Sequence, residues 1–230
     1  MQAMLNLLTF GAVLLQAADD PGWKSKPIAE WNDQDAKQVL SDSPWSKSAK
    51  LDQVRDLSVA ERRDGGNWDA SAGHGVGLAG TGIFGPTRAA AAIARAHARP
   101  DLGTVVVRWE SARPVRAAEL KVSEAGIPGR LEDYYAIAVY DIPPPFRWNL
   151  ANQLKGVAFL KRDKKKDLRP KRVEVVNRED GLVTVVYLFS RSAEITRKDS
   201  NVRFVAQIGR LYVSQFFFPG EMEFDGNPEF

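Results

Sequence analysis

The 230-residue chain contains no cysteine. Disulfides, a thiol nucleophile, cysteine metal sites and a lipidated N-terminal cysteine are therefore excluded, and such a chain is at ease in an oxidising compartment. Histidine is nearly as scarce, with His74 and His97 the two present. His97 has no second ligand at helical spacing, and no G-x-S-x-G nucleophile elbow occurs, so the chain supports neither a zinc site nor a Ser-His-Asp triad. No cofactor and no metal is expected. Charge of a single sign is missing too. The 32 basic and 29 acidic residues are interspersed for a net charge of +3, whereas a nucleic-acid binder gathers basic charge on one face. Nucleic acid is not an expected partner. Beyond residue 18 no run is apolar enough to span a bilayer, so the mature chain should have no transmembrane segment.

What the first residues do carry is the outline of a secretory signal. Leu5 to Leu15 is an apolar run too short to cross a membrane as a helix. Ala17 and Ala18 supply small residues, and Asp19 and Asp20 end the run. The n-region lacks Lys and Arg, but the short apolar stretch and its abrupt polar end predict export, with cleavage after Ala17 or Ala18. The expected location is periplasmic or extracellular.

Next, the spacing predicts a short helix. Asn32 is a good N-cap with Asp35 at N3, and Trp31 before the cap is placed to pack on Ala36 as a hydrophobic staple. Ala36, Val39 and Leu40 make one helical stripe, and Pro44 marks the stop. Trp23, Trp31 and Trp45 are more aromatic surface than so small a helix can bury, so they are expected to dock it on a larger body. The pattern W-x-x-x-D-A-x-x-x-L-x-x-S-P-W, Trp31 to Trp45, resembles the opening of a group of uncharacterised exported bacterial proteins. The stretches "VVVRWESARPVRAA" and "YLFSRSAEITRKDSNVRFVAQIG" are similar to segments of that group. The resemblance would cover most of the mature chain, implies no known activity and carries no functional residue over.

Eight of the 18 glycines fall in residues 65–86. Gly75, Gly77 and Gly80 have G-x-G-x-x-G spacing, but no strand-like run precedes them and the helical stretch "TRAAAAIARAHA" starts only at Thr87. A dinucleotide loop must join a buried strand directly to a helix N-terminus. Without those neighbours a glycine-rich stretch is a tether. The division expected is a signal peptide over 1–18, a short helical Trp-rich segment over 19–64, a Gly-rich linker over 65–86 and an α+β domain over 87–230.

The last part alternates in strand period. "TVVVRWE" places Val105, Val107 and Trp109 on one face, and "DYYAIAVYDI" does the same for Tyr135, Ile137 and Val139. Between them Val115, Ala118 and Val122 share a helical face, Pro114 fits the first turn and Gly126 is the expected stop. This βαβ-like unit could make its two strands parallel. "VAFLKR" and "KRVEVV" could form a hairpin around a basic loop. Glu179-Asp180-Gly181, Asp199-Ser200-Asn201 and Gly209-Arg210 are turn signals between further strands. The fold class expected is α+β, one mostly antiparallel sheet with a βαβ-like unit and a C-terminal β-meander.

Three features are candidate sites. The stretch "KRDKKKDLRPKR" holds eight cations, Lys161, Arg162, Lys164, Lys165, Lys166, Arg169, Lys171 and Arg172, against Asp163 and Asp167. It could hold an anionic polymer or lipid headgroup by accumulated charge, or simply keep a hairpin tip solvated. If the βαβ strands are parallel, Glu110 and Asp141 lie at their C-terminal ends and could act as acid and base in a hydrolase, or bind a cation. Finally, Phe216, Phe217, Phe218 and Phe224 crowd the C-terminus. They could self-associate as a structural subunit, or lie in the core under the Trp-bearing helix, which is the reading preferred here. A non-enzymatic binding or scaffolding protein of the cell envelope, for an anionic component or a protein partner, fits the missing catalytic machinery best.

Overall fold

The computed structural model describes residues 21–54, 57–63, 102–124, 126, 131–143, 151–192 and 194–230. The expected signal peptide (1–18), the glycine tether (65–86), the alanine-rich helix from Thr87 and most of the proline turn from Pro143 lie outside them.

The chain is α+β and its sheets are antiparallel throughout. Strands β1 (Ser46–Lys50), β3 (Thr104–Trp109), β4 (Tyr134–Ile142), β6 (Arg172–Asn177) and β7 (Val183–Ser190) form a first sheet in the order β1-β3-β4-β7-β6. Strands β2 (Asp52–Gln53), β5 (Ala158–Arg162), β8 (Val202–Ile208) and β9 (Leu211–Phe217) form a second, ordered β2-β9-β8-β5. A small hairpin, β10 (Glu223–Phe224) with β11 (Asn227–Pro228), ends the chain. The expectation of one sheet is thus corrected to two. Each sheet has one face of Val, Ile, Phe, Tyr or Trp, and neither face can be buried without the other. They meet in a shared core where Trp109 of β3 packs on Phe217 of β9 at 5.1 Å between ring centroids, and Tyr187 of β7 on Phe204 of β8 at 5.3 Å.

Among the described residues four short α-helices accompany the sheets: α1 (Asp33–Ser41), α2 (Val59–Arg63), α3 (Arg113–Lys121) and α4 (Ala151–Gly156). The start of α1 is built as its sequence predicts. Asp35 N–H donates to Asn32 Oδ1 at 2.8 Å, and Asn32 N–H donates back to Asp35 Oδ2 at 3.0 Å. Trp23, Trp31 and Trp45 are all buried, with Trp23 5.6 Å from Trp45 and Trp31 5.5 Å from Phe224. Trp45 Nε1 donates to the Glu229 carbonyl at 2.7 Å. The tryptophans therefore dock within the chain. α3 begins with Pro114 in its first turn and buries Val115 and Ala118, but it stops at Lys121, and Ser123 takes φ 55° before Gly126 is reached. At α4, a Cβ on Gly156 would stand 2.1 Å from the Arg62 carbonyl, so only glycine lets α4 approach α2.

Three connections differ from the sequence reading, and all are crossings. The segment over 19–64, read as helical, also runs from β1 on the edge of the first sheet through buried Leu51 to β2 on the edge of the second. At the other side, β5 and β6 are not a hairpin. β5 pairs with β8 and β6 with β7, so the basic stretch crosses from one sheet to the other. The third is at Asp199-Ser200-Asn201, between β7 of the first sheet and β8 of the second, whereas hairpins do occur at the other two turn signals. Gly181 (φ 81°) sits in the β6–β7 turn and Gly209 (φ 60°) in the β8–β9 turn.

Candidate functional site

The sequence offered Glu110 and Asp141 as a pair on the assumption that β3 and β4 run parallel. They are antiparallel neighbours, with Val106 opposite Tyr140 and Trp109 opposite Ile137. Glu110 N–H donates to the Ala136 carbonyl, so Glu110 lies beside Ala136, five residues along β4 from Asp141. At about 3.3 Å per residue that is roughly 16 Å of strand. Asp141 sits in a β-bulge with φ 59° and pairs with Arg178 at 3.0 Å. The two carboxylates do not form one site, and a hydrolase using them together is set aside.

Glu110 instead enters a buried cluster on the outer face of the first sheet, among Arg108, Tyr140 and Glu119 of α3. All four are less than a tenth exposed. Tyr140 Oη donates to Glu110 Oε1 at 2.8 Å, and the Arg108 guanidinium stacks 4.3 Å from the Tyr140 ring centroid. Arg108 faces three carboxylates: Glu124 at 3.0 Å, Glu119 at 3.5 Å and Glu110 at 3.8 Å. A Cβ on Gly126 would meet Glu119 Oε2 at 2.7 Å, so the chain after α3 closes tightly over that carboxyl group. Burial first, and then Glu119, push the Glu110 carboxyl well above its ordinary value, and burial likewise raises Glu119. One guanidinium faces two buried carboxyls and the exposed Glu124, and burial shifts both buried carboxyls toward their protonated form. The Tyr140 phenol, raised by burial and by Glu110, stays protonated. Glu119 was missed by the sequence reading. Its position four residues after Val115, beside the buried stripe of α3, was the available signal. Neither cleft described next includes these carboxylates, which belong to the interior of the fold.

The basic crossover is the outward-facing site. Its backbone is pinned by reciprocal hydrogen bonds between Leu160 and Leu168 at 2.9 and 3.0 Å, and by Lys171 N–H to the Leu188 carbonyl at 2.7 Å. Some of its cations are consumed in holding this shape. Arg162 donates to the Lys166 carbonyl at 2.6 Å, and Lys165 pairs with Asp199. Burial opposes ionisation of Asp199, but Lys165 and the Thr196 N–H outweigh it and hold that carboxyl below its usual range. Arg172 pairs with Glu174 at 2.7 Å, and Arg169 stacks 5.0 Å from the Phe159 ring centroid.

Lys166 and Lys171 face solvent, as does Arg169 beside its ring contact. Lys166, Arg169 and Lys171 converge with Asp167, with Ser190 at the end of β7 and with Ser192 just beyond it around a hollow of about 400 Å³. Lys161, Lys164, Lys166 and Lys171 have no side-chain partner among the described residues. Ser192 also borders a larger cleft of about 930 Å³, where Arg191, Arg197 and Lys198 lie with Glu194 and Glu229. Arg191 is held by the carbonyls of Tyr134 (3.1 Å) and Phe230, and Arg197 pairs with Glu223 at 3.0 Å. The smaller hollow is a trough in which three cations outnumber Asp167 on a fixed backbone, fit to receive anionic groups, and the larger cleft that adjoins it at Ser192 mixes cations with Glu194 and Glu229. Sequence reasoning found the loop but not Ser190, Ser192 or Lys198, which come to it from distant positions. Among the described residues no group of three His, Asp or Glu is placed to hold a metal ion. No protein-family model, no curated protein and no solved structure matches the chain.

Proposed function

We propose that this chain is an exported, non-enzymatic binding protein that holds an anionic component of the cell envelope in the trough at the β5–β6 crossover. The observation that carries the reading is the hollow lined by Lys166, Arg169 and Lys171 with Ser190 and Ser192, on a loop whose backbone is fixed. A solvated hairpin tip needs no such fixing. Fixing the backbone lowers the entropy that a ligand must overcome. The hydroxyls add hydrogen-bond donors of a kind phosphate and carboxylate groups accept. Export is supported by the apolar run ending at Ala17 and Ala18 and by the absence of cysteine.

The test is titration with inorganic polyphosphate across a salt series, beside cell fractionation of the expressed chain. Binding should weaken steadily with salt, and the K166S/K171S double variant should bind about tenfold more weakly at low salt. A wild-type chain that binds no polyphosphate at low salt, or a double variant that binds as well, overturns the site. Recovery of an uncleaved chain from the cytoplasm overturns export.

A further inference from the structure

The outer face of the second sheet carries a feature that the trough does not explain. Its strands place Lys161 opposite Arg203 and Arg203 opposite Phe216, in one row across β5, β8 and β9. Side chains alternate along a strand, and the neighbours Leu160, Phe204 and Phe217 point into the core. The Lys161-Arg203-Phe216 row therefore points outward. Phe216 is 45% exposed, and Phe218, in phase with it, is 46% exposed. The preference for placing these phenylalanines in the core is corrected for Phe216 and Phe218, while Phe217 and Phe224 are buried. Arg203 is held beside Phe216: Nε donates to Ser214 Oγ at 2.8 Å, Nη2 to Tyr212 Oη at 3.2 Å, and its guanidinium lies 5.2 Å from the Phe216 ring centroid. No carboxylate pairs with Arg203 or Lys161 among the described residues. Among the described residues, Asp52 is opposite Tyr212 on the far edge of this face, four residues along β9 from Phe216, and Asp163 follows β5 at the near end. The basic crossover leaves β5 at the same end, and Arg169 folds back over Phe159 on the same face.

We propose that this end of the face is a bilayer-contact surface, which seats Phe216 and Phe218 in the interfacial region of an anionic phospholipid membrane while Lys161, Arg203 and Arg169 meet the headgroups. Exposed rings flanked by uncompensated cations match the one surface that offers apolar chains and negative charge together. A hydrophilic polymer offers nothing to the rings. A second copy joined by a two-fold axis would set the same cations against one another. No helix among the described residues is long and apolar enough to cross a membrane, and the contact proposed is peripheral. It rests on the anion-binding reading above, for which it names one physical source of the charge.

The experiment is flotation with vesicles of phosphatidylcholine, with and without phosphatidylglycerol, using wild type and the F216S/F218S and K166S/K171S double variants in the same purified form. Anything contributed by residues 1–18 is then common to all. Wild type should float with the anionic vesicles and not with the neutral ones. F216S/F218S should lose about tenfold in vesicle partitioning while keeping its thermal midpoint and its polyphosphate binding. In a separate F218W variant, the added tryptophan emission should be quenched by brominated phosphatidylglycerol. Equal flotation of F216S/F218S and wild type overturns the surface. So does a dimer in sedimentation velocity that the same substitutions abolish, because the rings would then cover each other. Polyphosphate binding without any vesicle binding leaves the trough standing and removes the membrane. Vesicle binding without polyphosphate binding removes the trough and leaves the membrane surface standing.

Discussion

Around Arg108 the fold withdraws two carboxyl groups, a phenol and a guanidinium from water, while around Lys166 it leaves cations facing it. The compositions differ little from what a reader would call charged clusters, yet the consequences diverge. In the interior each charge must be met by a partner or lost to protonation, so geometry sets the protonation state. At the crossover, charge costs little to keep, and pairing is used selectively: Arg162 and Lys165 brace the loop, while Lys166 and Lys171 are left available. Buried charge serves the fold here, and exposed charge is what can serve a ligand.

The hardest blow to the interior cluster is removal of its cation. Arg108→Met should cost about 3–5 kcal/mol in urea unfolding, because Glu110, Glu119 and Glu124 lose their common counter-charge. A loss under about 1 kcal/mol would mean that the interior carboxyls are already neutral, and the contrast with the crossover would collapse.

The raised carboxyls give a sharper test. Glu110 and Glu119 are raised above their ordinary value of 4.5 by burial, so in that window the folded state binds more protons than the unfolded one. Their stabilising contribution is complete below the ordinary value and is lost as pH rises through the folded values. Wild-type stability should therefore carry a component that falls with rising pH, by at most about 1.4 kcal/mol per pH unit per proton. Glu119→Gln should flatten it, as read from urea midpoints across pH.

Asp199 tests the bracing of the loop and has the opposite sign. Held below its ordinary 3.8, it contributes stability above that value and loses it as pH falls through the folded value. Asp199→Asn should cost about 1–2 kcal/mol at neutral pH and weaken polyphosphate binding by loosening Lys165. The smallest effect belongs to the free cations. K166S/K171S should change unfolding stability by less than about 0.5 kcal/mol while changing the salt dependence of binding. Stability loss in that variant would make the two regions alike.

Sequence by itself determined much of this protein. The capping box at Asn32, Pro114 in the first turn of α3, the turns at Gly181 and Gly209 and the alternation of β3 and β4 all follow from contacts within a few residues, where sterics and local hydrogen bonds decide. The basic stretch was legible for the same reason. What tertiary structure alone decided is who pairs with whom. Alternation shows which side chains share a face but not which strand lies beside them, so β3 and β4 could be read as parallel, β5 and β6 as a hairpin and the strands β1 and β2 as part of a helical segment over 19–64. Strand pairing is settled by burying two apolar faces against each other, which draws on residues far apart in the chain. That same packing turned Glu110 away from Asp141 and onto Glu119, and brought Ser190 and Ser192 to the lysines of the crossover.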